Sequence, residues 1–217
     1  VHAEHLRHNV QEVRRHVGGR PILAVIKDNG YGSGVVEVGG LLDGDDAVAG
    51  FAVIKVDEAL RLRDAGVKKP VLLMGTFDDQ NLEELVARDV TPMVYQPIGP
   101  VWDRLSSKMQ KPIPIHVCVD TGIGRVGVPY TEAGDLIRDL AARPSVRIDG
   151  LMMTFAEDPD LNVEQPRRFA RLYESLQRDG VATGQRHAAS TDALFRLSED
   201  AFMDMVRPGM ALYGIYP

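Results

Sequence analysis

A chain of 217 residues is long enough for one large domain, and single barrels of alternating strands and helices run to about 200–250 residues. Forty-four per cent apolar and 26% charged residues are ordinary values for a globular protein, and a formal charge of −6 gives no basic face with which to grip nucleic acid. No apolar run approaches the roughly 20 residues that span a bilayer, no signal-peptide pattern opens the chain, and the single cysteine, Cys118, excludes an internal disulfide, so a reducing cytoplasm is the expected location.

In chain order, short runs rich in Val, Ile and Met alternate with segments of helical periodicity. The predicted strands are Ile22–Lys27, Ala49–Ile54, Val71–Gly75, Val90–Tyr95, Ile113–Asp120, Ile148–Phe155, His187–Ser190 and Met205–Tyr213. Between them, Asp57 and Glu58 open a helix with an apolar stripe of Ala59, Leu60 and Leu62, and Gly66 ends it. Asp78 caps the next, whose stripe is Leu82, Leu85 and Val86. Further stripes are Val101, Trp102, Leu105 and Met109, then Leu136, Ile137 and Leu140, then Phe169, Leu172, Tyr173 and Leu176.

Near-continuous apolar strands separated by helices mean a parallel sheet covered on its faces. About eight such units in this length favour a (β/α)8 TIM barrel over an open doubly wound sheet, with residues 1–217 forming a single domain. No low-complexity segment or linker interrupts it. The start at Val1 without methionine suggests a fragment or a processed chain. In a barrel of this type, chemistry sits where strands pass into loops.

Three clusters fall at such places. In Ala24-Val25-Ile26-Lys27-Asp28-Asn29-Gly30-Tyr31-Gly32-Ser33-Gly34 a lysine ends an apolar strand. Partial desolvation makes such an amine a usable nucleophile, although a lysine whose stem packs while its head reaches water has the same pattern. In Val119-Asp120-Thr121-Gly122-Ile123-Gly124-Arg125-Val126-Gly127 a glycine-rich loop carries an arginine that suits an anionic oxygen. Its spacing matches neither the Walker loop nor the dinucleotide fingerprint, and taken alone it fits a structural loop better than a phosphate loop. In Met205-Val206-Arg207-Pro208-Gly209-Met210-Ala211-Leu212-Tyr213-Gly214 the N–H groups of Gly209 and Met210 suit a phosphate, and Arg207 requires a carboxylate or ligand partner.

Together and in this order the clusters resemble the alanine racemase family. Residues 24–34 are similar to its pyridoxal-phosphate lysine motif and Asp120–Arg125 to its central motif. Leu6-Arg7-His8-Asn9, Gly150-Leu151, Phe155-Ala156, His187-Ala188-Ala189 and Val206–Gly214 follow the family pattern. The resemblance implies a pyridoxal 5'-phosphate-binding barrel and an amino-acid racemase that most closely fits the interconversion of L- and D-alanine. Lys27 would form the Schiff base and act as one catalytic base. Tyr31, Thr191 (serine in most of the family), Gly209 and Met210 would hold the phosphate, with Ser190 beside them. Arg125 would face the phenolic oxygen and Arg207 the pyridine nitrogen, where a permanently protonated guanidinium disfavours ring protonation.

The resemblance further implies a small amino-acid substrate, a homodimer and a carboxy-terminal β domain that is absent from residues 1–217; its tyrosine, from the partner subunit, would serve the opposite face of the substrate. No metal, nucleic acid or membrane is expected. The chain departs from the family pattern at Ser33 and Thr154, where histidine is usual, at Cys118, where the family often carries a carbamylated lysine, and at Ser190, where it has asparagine. These changes leave room for a racemase or lyase acting on another amino acid, or for a non-catalytic cofactor-binding barrel. A phosphate-sugar enzyme on the same barrel would share the phosphate site but would give Lys27 no role. His116 reads as an interior hydrogen-bonded residue, His187 as a packing residue that could also line the mouth of the barrel, and Pro166-Arg167-Arg168 as a solvated helix face.

Overall fold

Strands and helices alternate along residues 2–217, the part of the chain that the computed structural model describes. In order they are α1 (Ala3–His16), β1 (Ile22–Val25), α2 (Lys27–Tyr31), α3 (Val35–Leu42), β2 (Val48–Val53), α4 (Val56–Asp64), β3 (Val71–Leu73), α5 (Asp79–Ala87) and β4 (Val90–Val94). Then come α6 (Pro100–Met109), β5 (Ile113–Asp120), β6 (Val128–Pro129), α7 (Ala133–Ala142), β7 (Val146–Met152), α8 (Pro159–Arg178), β8 (Gln185–His187) and α9 (Thr191–Arg196). Two 3-10 turns, Glu199–Phe202 and Met210–Tyr213, complete the chain. It divides into two compact units, residues up to Thr91 with Ala189–Pro217, and Pro92–Ala188.

In the first unit β1, β2 and β3 pair in parallel, with Ala24 opposite Phe51 and Phe51 opposite Val71. Every residue of β1 and β3 is buried, which explains the unbroken apolar runs in the sequence. The outer helices pack the stripes expected of them: Ala59 and Leu62 of α4 and Leu82, Leu85 and Val86 of α5 are buried. Asp78 caps α5 by accepting the Asn81 N–H at 2.8 Å.

The predicted strand Met205–Tyr213 is corrected. Its first half lies along β1, bridging at Val206 and accepting the Leu23 and Val25 N–H groups at Val206 O and Pro208 O, both at 2.9 Å. Pro208 has no N–H to continue a ladder, Gly209 turns the backbone, and Met210–Tyr213 coils into a 3-10 turn.

In the second unit β4, β5, β7 and β8 pair in parallel, with Met93 opposite His116, Ile115 opposite Ile148 and Met152 opposite His187. The short β6 adds to the end of β5. Leu136, Ile137 and Leu140 of α7 and Phe169, Leu172 and Leu176 of α8 are buried, as their spacing requires. Both units thus show the parallel β/α alternation expected of a barrel-type chain.

Candidate active site

The end of β1 delivers Lys27. Four buried strand residues and buried Ile26 precede it, and there the backbone leaves the extended region. Asp28, Asn29 and Gly30 all sit near φ +54 to +62 and ψ +42 to +49, and Tyr31 at φ +51. This is one turn of left-handed helix that includes three residues with side chains, each at a cost of about 1–2 kcal/mol. Such a turn persists only where its surroundings hold it.

The holders are visible. Gly30 N–H donates to Ile26 O at 3.0 Å, Gly32 N–H to Asp28 O at 3.0 Å, and Gly34 N–H to Asn29 O at 2.8 Å. Asn29 Oδ1 accepts the Val35 N–H at 3.2 Å. Glu58, buried at the start of α4, accepts the Asn29 N–H at 2.7 Å. The half-exposed Lys27 Nζ stands 3.9 Å from the Asp28 carboxylate, whose other oxygen is 3.7 Å from Lys55 Nζ.

One turn beyond Lys27, Tyr31 faces the third cluster. Its hydroxyl lies so close to Gly209 that a Cβ at that position would collide with it, which is why glycine stands there. Thr191, at the start of α9, accepts the Gly209 and Ala211 N–H groups on Oγ1 at 3.2 and 3.1 Å. The Tyr31 and Tyr213 rings are tilted, with centroids 5.1 Å apart. Burial, then the Asp28 charge, raises the Tyr31 phenol above its ordinary value, and burial, then Tyr31, raises that of Tyr213. Asn9 of α1 donates to Leu212 O at 3.0 Å, fixing the 3-10 turn that carries Met210 and Tyr213.

The structure therefore gathers Tyr31, Thr191 and Gly209, with Ser190 adjoining Thr191 as the N-cap of α9 and exposed Met210 adjoining Gly209. Arg207, two residues earlier, is 4% exposed, and its N–H donates to Ala189 O at 2.8 Å. Sequence reading missed Glu58, Asn9 and Tyr213 as site residues. Glu58 was legible only as a helix opener, since its partner Asn29 is 29 positions away.

Arg125 belongs to the second unit. Its loop is shaped by Asp120, whose carboxylate accepts the Gly122 N–H at 2.9 Å and the Gly124 N–H at 3.1 Å. Arg125 is exposed and lines a groove of about 770 Å³ with Tyr95, Val128, Glu132 and Asp139. Fully buried Gln165 donates to Thr121 Oγ1 at 3.0 Å and Thr154 O at 2.8 Å and accepts the Ala156 N–H at 2.8 Å, joining two loops to α8. Cys118 Sγ lies 3.7 Å from Val126 O, and His116 Nδ1 lies 2.8 Å from His187 Nε2, so His116 is hydrogen-bonded as expected and buried His187 is its partner. The solvated-face reading holds for exposed Arg167 but not for Arg168, which donates to Thr121 O at 2.8 Å and covers the Tyr130 ring.

The residues of the first unit fit a phosphate-bearing aldehyde. Lys27 supplies an accessible amine, and the Tyr31 and Thr191 hydroxyls converge on a glycine whose missing Cβ leaves room beside the backbone. Among the described residues, the buried Tyr213 hydroxyl of the same cluster has no hydrogen-bond partner, which suits a polar ligand beside it. Among the described residues, no helix is long and apolar enough to cross a membrane.

Comparison with known proteins identifies the family of the chain. The family described as "Alanine racemase, N-terminal domain" matches residues 1–217. The alanine racemase of Sorangium cellulosum is 36% identical over all of this chain and 60% of its own length, and that of Carboxydothermus hydrogenoformans is 35% identical over the same shares. Among solved structures, the alanine racemase of Clostridium difficile 630 in complex with cycloserine superposes with a TM-score of 0.90 at 26% identity, covering 99% of this chain and 60% of that one. The Bacillus anthracis alanine racemase with bound L-Ala-P gives a TM-score of 0.84, also at 26% identity, over 57% of its chain. The chain thus spans about 60% of the length of the relatives it matches. The family match over residues 1–217, the identities of 36% and 35% and the superposed fold agree, and the chain belongs to the alanine racemase family.

Proposed function

We propose that residues 1–217 form a pyridoxal 5'-phosphate-binding domain of an amino-acid racemase acting on alanine. The observation that carries this reading is the left-handed turn at the end of β1, which starts at the Lys27 amine and brings the Tyr31 hydroxyl against Gly209. An amine and an anion-binding cluster one turn apart suit a ligand that has an aldehyde and a phosphate.

Bound there, pyridoxal phosphate supplies an aldehyde that condenses with amines and a conjugated ring that acidifies the substrate Cα. Lys27 holds the cofactor, and its Nζ moves a proton at the substrate Cα on one face. Tyr31, Thr191 and the backbone at Gly209 and Met210 bind the phosphate, with Ser190 adjoining. Arg207, buried and permanently charged, orients the pyridine nitrogen without donating it a full proton. The family resemblance assigns the phenolic oxygen to Arg125. The partners of this reading are a small amino acid and a second copy of the full-length protein, in the cytoplasm.

The test is incubation with pyridoxal phosphate and L-alanine in deuterated water, followed by chiral chromatography and mass analysis. Incorporation of deuterium at Cα supports the reading, and its absence from a cofactor-loaded protein contradicts it. A second reading, a family member acting on another amino acid, is favoured by buried Cys118 beneath the Arg125 loop, where the family often carries a charged group. A panel of amino acids in the same exchange assay separates the two.

A further inference from the structure

We propose that Glu58 is the positioning residue of the lysine site: its buried carboxylate holds the left-handed turn and thereby sets where the Lys27 amine and the Tyr31 hydroxyl lie. The proposal deepens the pyridoxal-phosphate reading and rests on it.

Glu58 is 2% exposed, the only buried carboxylate among the described residues, and a buried charge needs compensation. Its two oxygens go to two different elements. Oε1 accepts the Asn29 N–H of α2 at 2.7 Å, and Oε2 accepts the Lys55 N–H at the start of α4 at 3.3 Å. Hydrogen bonds to a carboxylate are among the stronger ones in proteins. The remaining backbone bonds of the turn are local: Ile26 to Gly30, Asp28 to Gly32, Gly30 to Ser33, and Asn29 to Gly34 and Val35. They close the turn on itself but do not tie it to its surroundings. Glu58 ties it to a helix anchored by buried Ala59 and Leu62. The Lys55–Asp28 pair at 3.7 Å runs in the same direction, but both side chains are half-exposed and the pair is weak.

Without this anchor, Asp28, Asn29 and Tyr31 are free to return to the backbone regions that side chains favour. Tyr31 would then leave Gly209, and the lysine would lose its fixed distance from the phosphate end. A residue that merely caps α4 would act through the Lys55 N–H alone. Glu58→Gln separates the two roles, because its carboxamide oxygen still accepts from Asn29 while its NH2 group cannot accept from Lys55.

The experiment compares wild type, Glu58→Ala and Glu58→Gln by two readouts. The first is hydrogen exchange of the amides of residues 29–34 in the cofactor-free protein. The second is the yield of a borohydride-trapped Lys27 adduct at a fixed, subsaturating pyridoxal phosphate concentration. The expected result for Glu58→Ala is about tenfold faster exchange and an about tenfold lower yield, with Glu58→Gln close to wild type in both. Unchanged exchange in Glu58→Ala, or faster exchange with an unchanged adduct yield, overturns the proposal, as does a Glu58→Gln that behaves like alanine. Should Glu58→Ala fail to fold, Glu58→Asp, whose carboxylate is one methylene shorter, takes its place with the same expectations. Wild type that yields no adduct overturns the cofactor reading and the positioning role with it, and the exchange data then show whether the anchor itself is real.

Discussion

Gly209 and Tyr31 illustrate how single atoms decide this site. The hydroxyl occupies the space where any other residue would place a Cβ, so Gly209→Ala must displace Tyr31 or the backbone. The expected outcome is a rise of about tenfold in the Kd for pyridoxal phosphate, equivalent to about 1.4 kcal/mol, measured by absorbance titration. Tyr213 gives a prediction of opposite sign. Among the described residues its buried hydroxyl has no partner, so in the cofactor-free chain Tyr213→Phe removes a desolvation cost and stabilises by roughly 1 kcal/mol in urea unfolding at pH 7. Both phenols have folded-state values raised above the ordinary one near 10. The folded state therefore binds more protons than the unfolded state above about pH 10, and stability that is full below that pH is lost as pH rises towards the folded values. Urea midpoints at pH 9, 10 and 11 are expected to fall, and less steeply in Tyr213→Phe.

At the scale of elements, the sequence disclosed what depends on local pattern and concealed what depends on distant partners. Ile113–Asp120 was legible residue for residue, because β-branched residues at every second position (Ile113, Ile115, Val117 and Val119) and a polar end have the period of a strand. Asp78 was legible as a cap, and the α7 and α8 stripes as packing faces. The first strand was read two residues too long, since nothing around Lys27-Asp28-Asn29 announces a left-handed turn whose anchor lies at Glu58. The strand read at Met205–Tyr213 failed beyond Pro208, where apolar content outvoted the missing N–H. Gln165 is a further case: it looks like one more polar residue on α8, yet it serves three partners in two loops. Gln165→Leu removes all three hydrogen bonds, and thermal or urea unfolding is expected to show a loss of about 3 kcal/mol.

At the scale of the whole molecule, the family motifs were read in order along the chain, and the match over residues 1–217 places them in one known domain. Racemisation needs proton transfer on both faces of Cα. The resemblance assigns the second transfer to a tyrosine of another domain, and this chain covers about 60% of the relatives it matches. Residues 1–217 assayed alone with saturating cofactor are therefore expected to turn over alanine at below roughly one per second, under the usual enzyme range of about 1–10³ per second. A kcat inside that range would contradict the expectation and would locate both proton-transfer groups within this chain.

The account turns on the chemistry of one amine. The most direct measurement is borohydride reduction of the purified protein with pyridoxal phosphate, followed by peptide mapping of the stable adduct. The account predicts a single pyridoxyl-modified peptide, carrying the label at Lys27, and its disappearance in Lys27→Ala. Label spread over surface lysines such as Lys68 and Lys108, with none at Lys27, would contradict it.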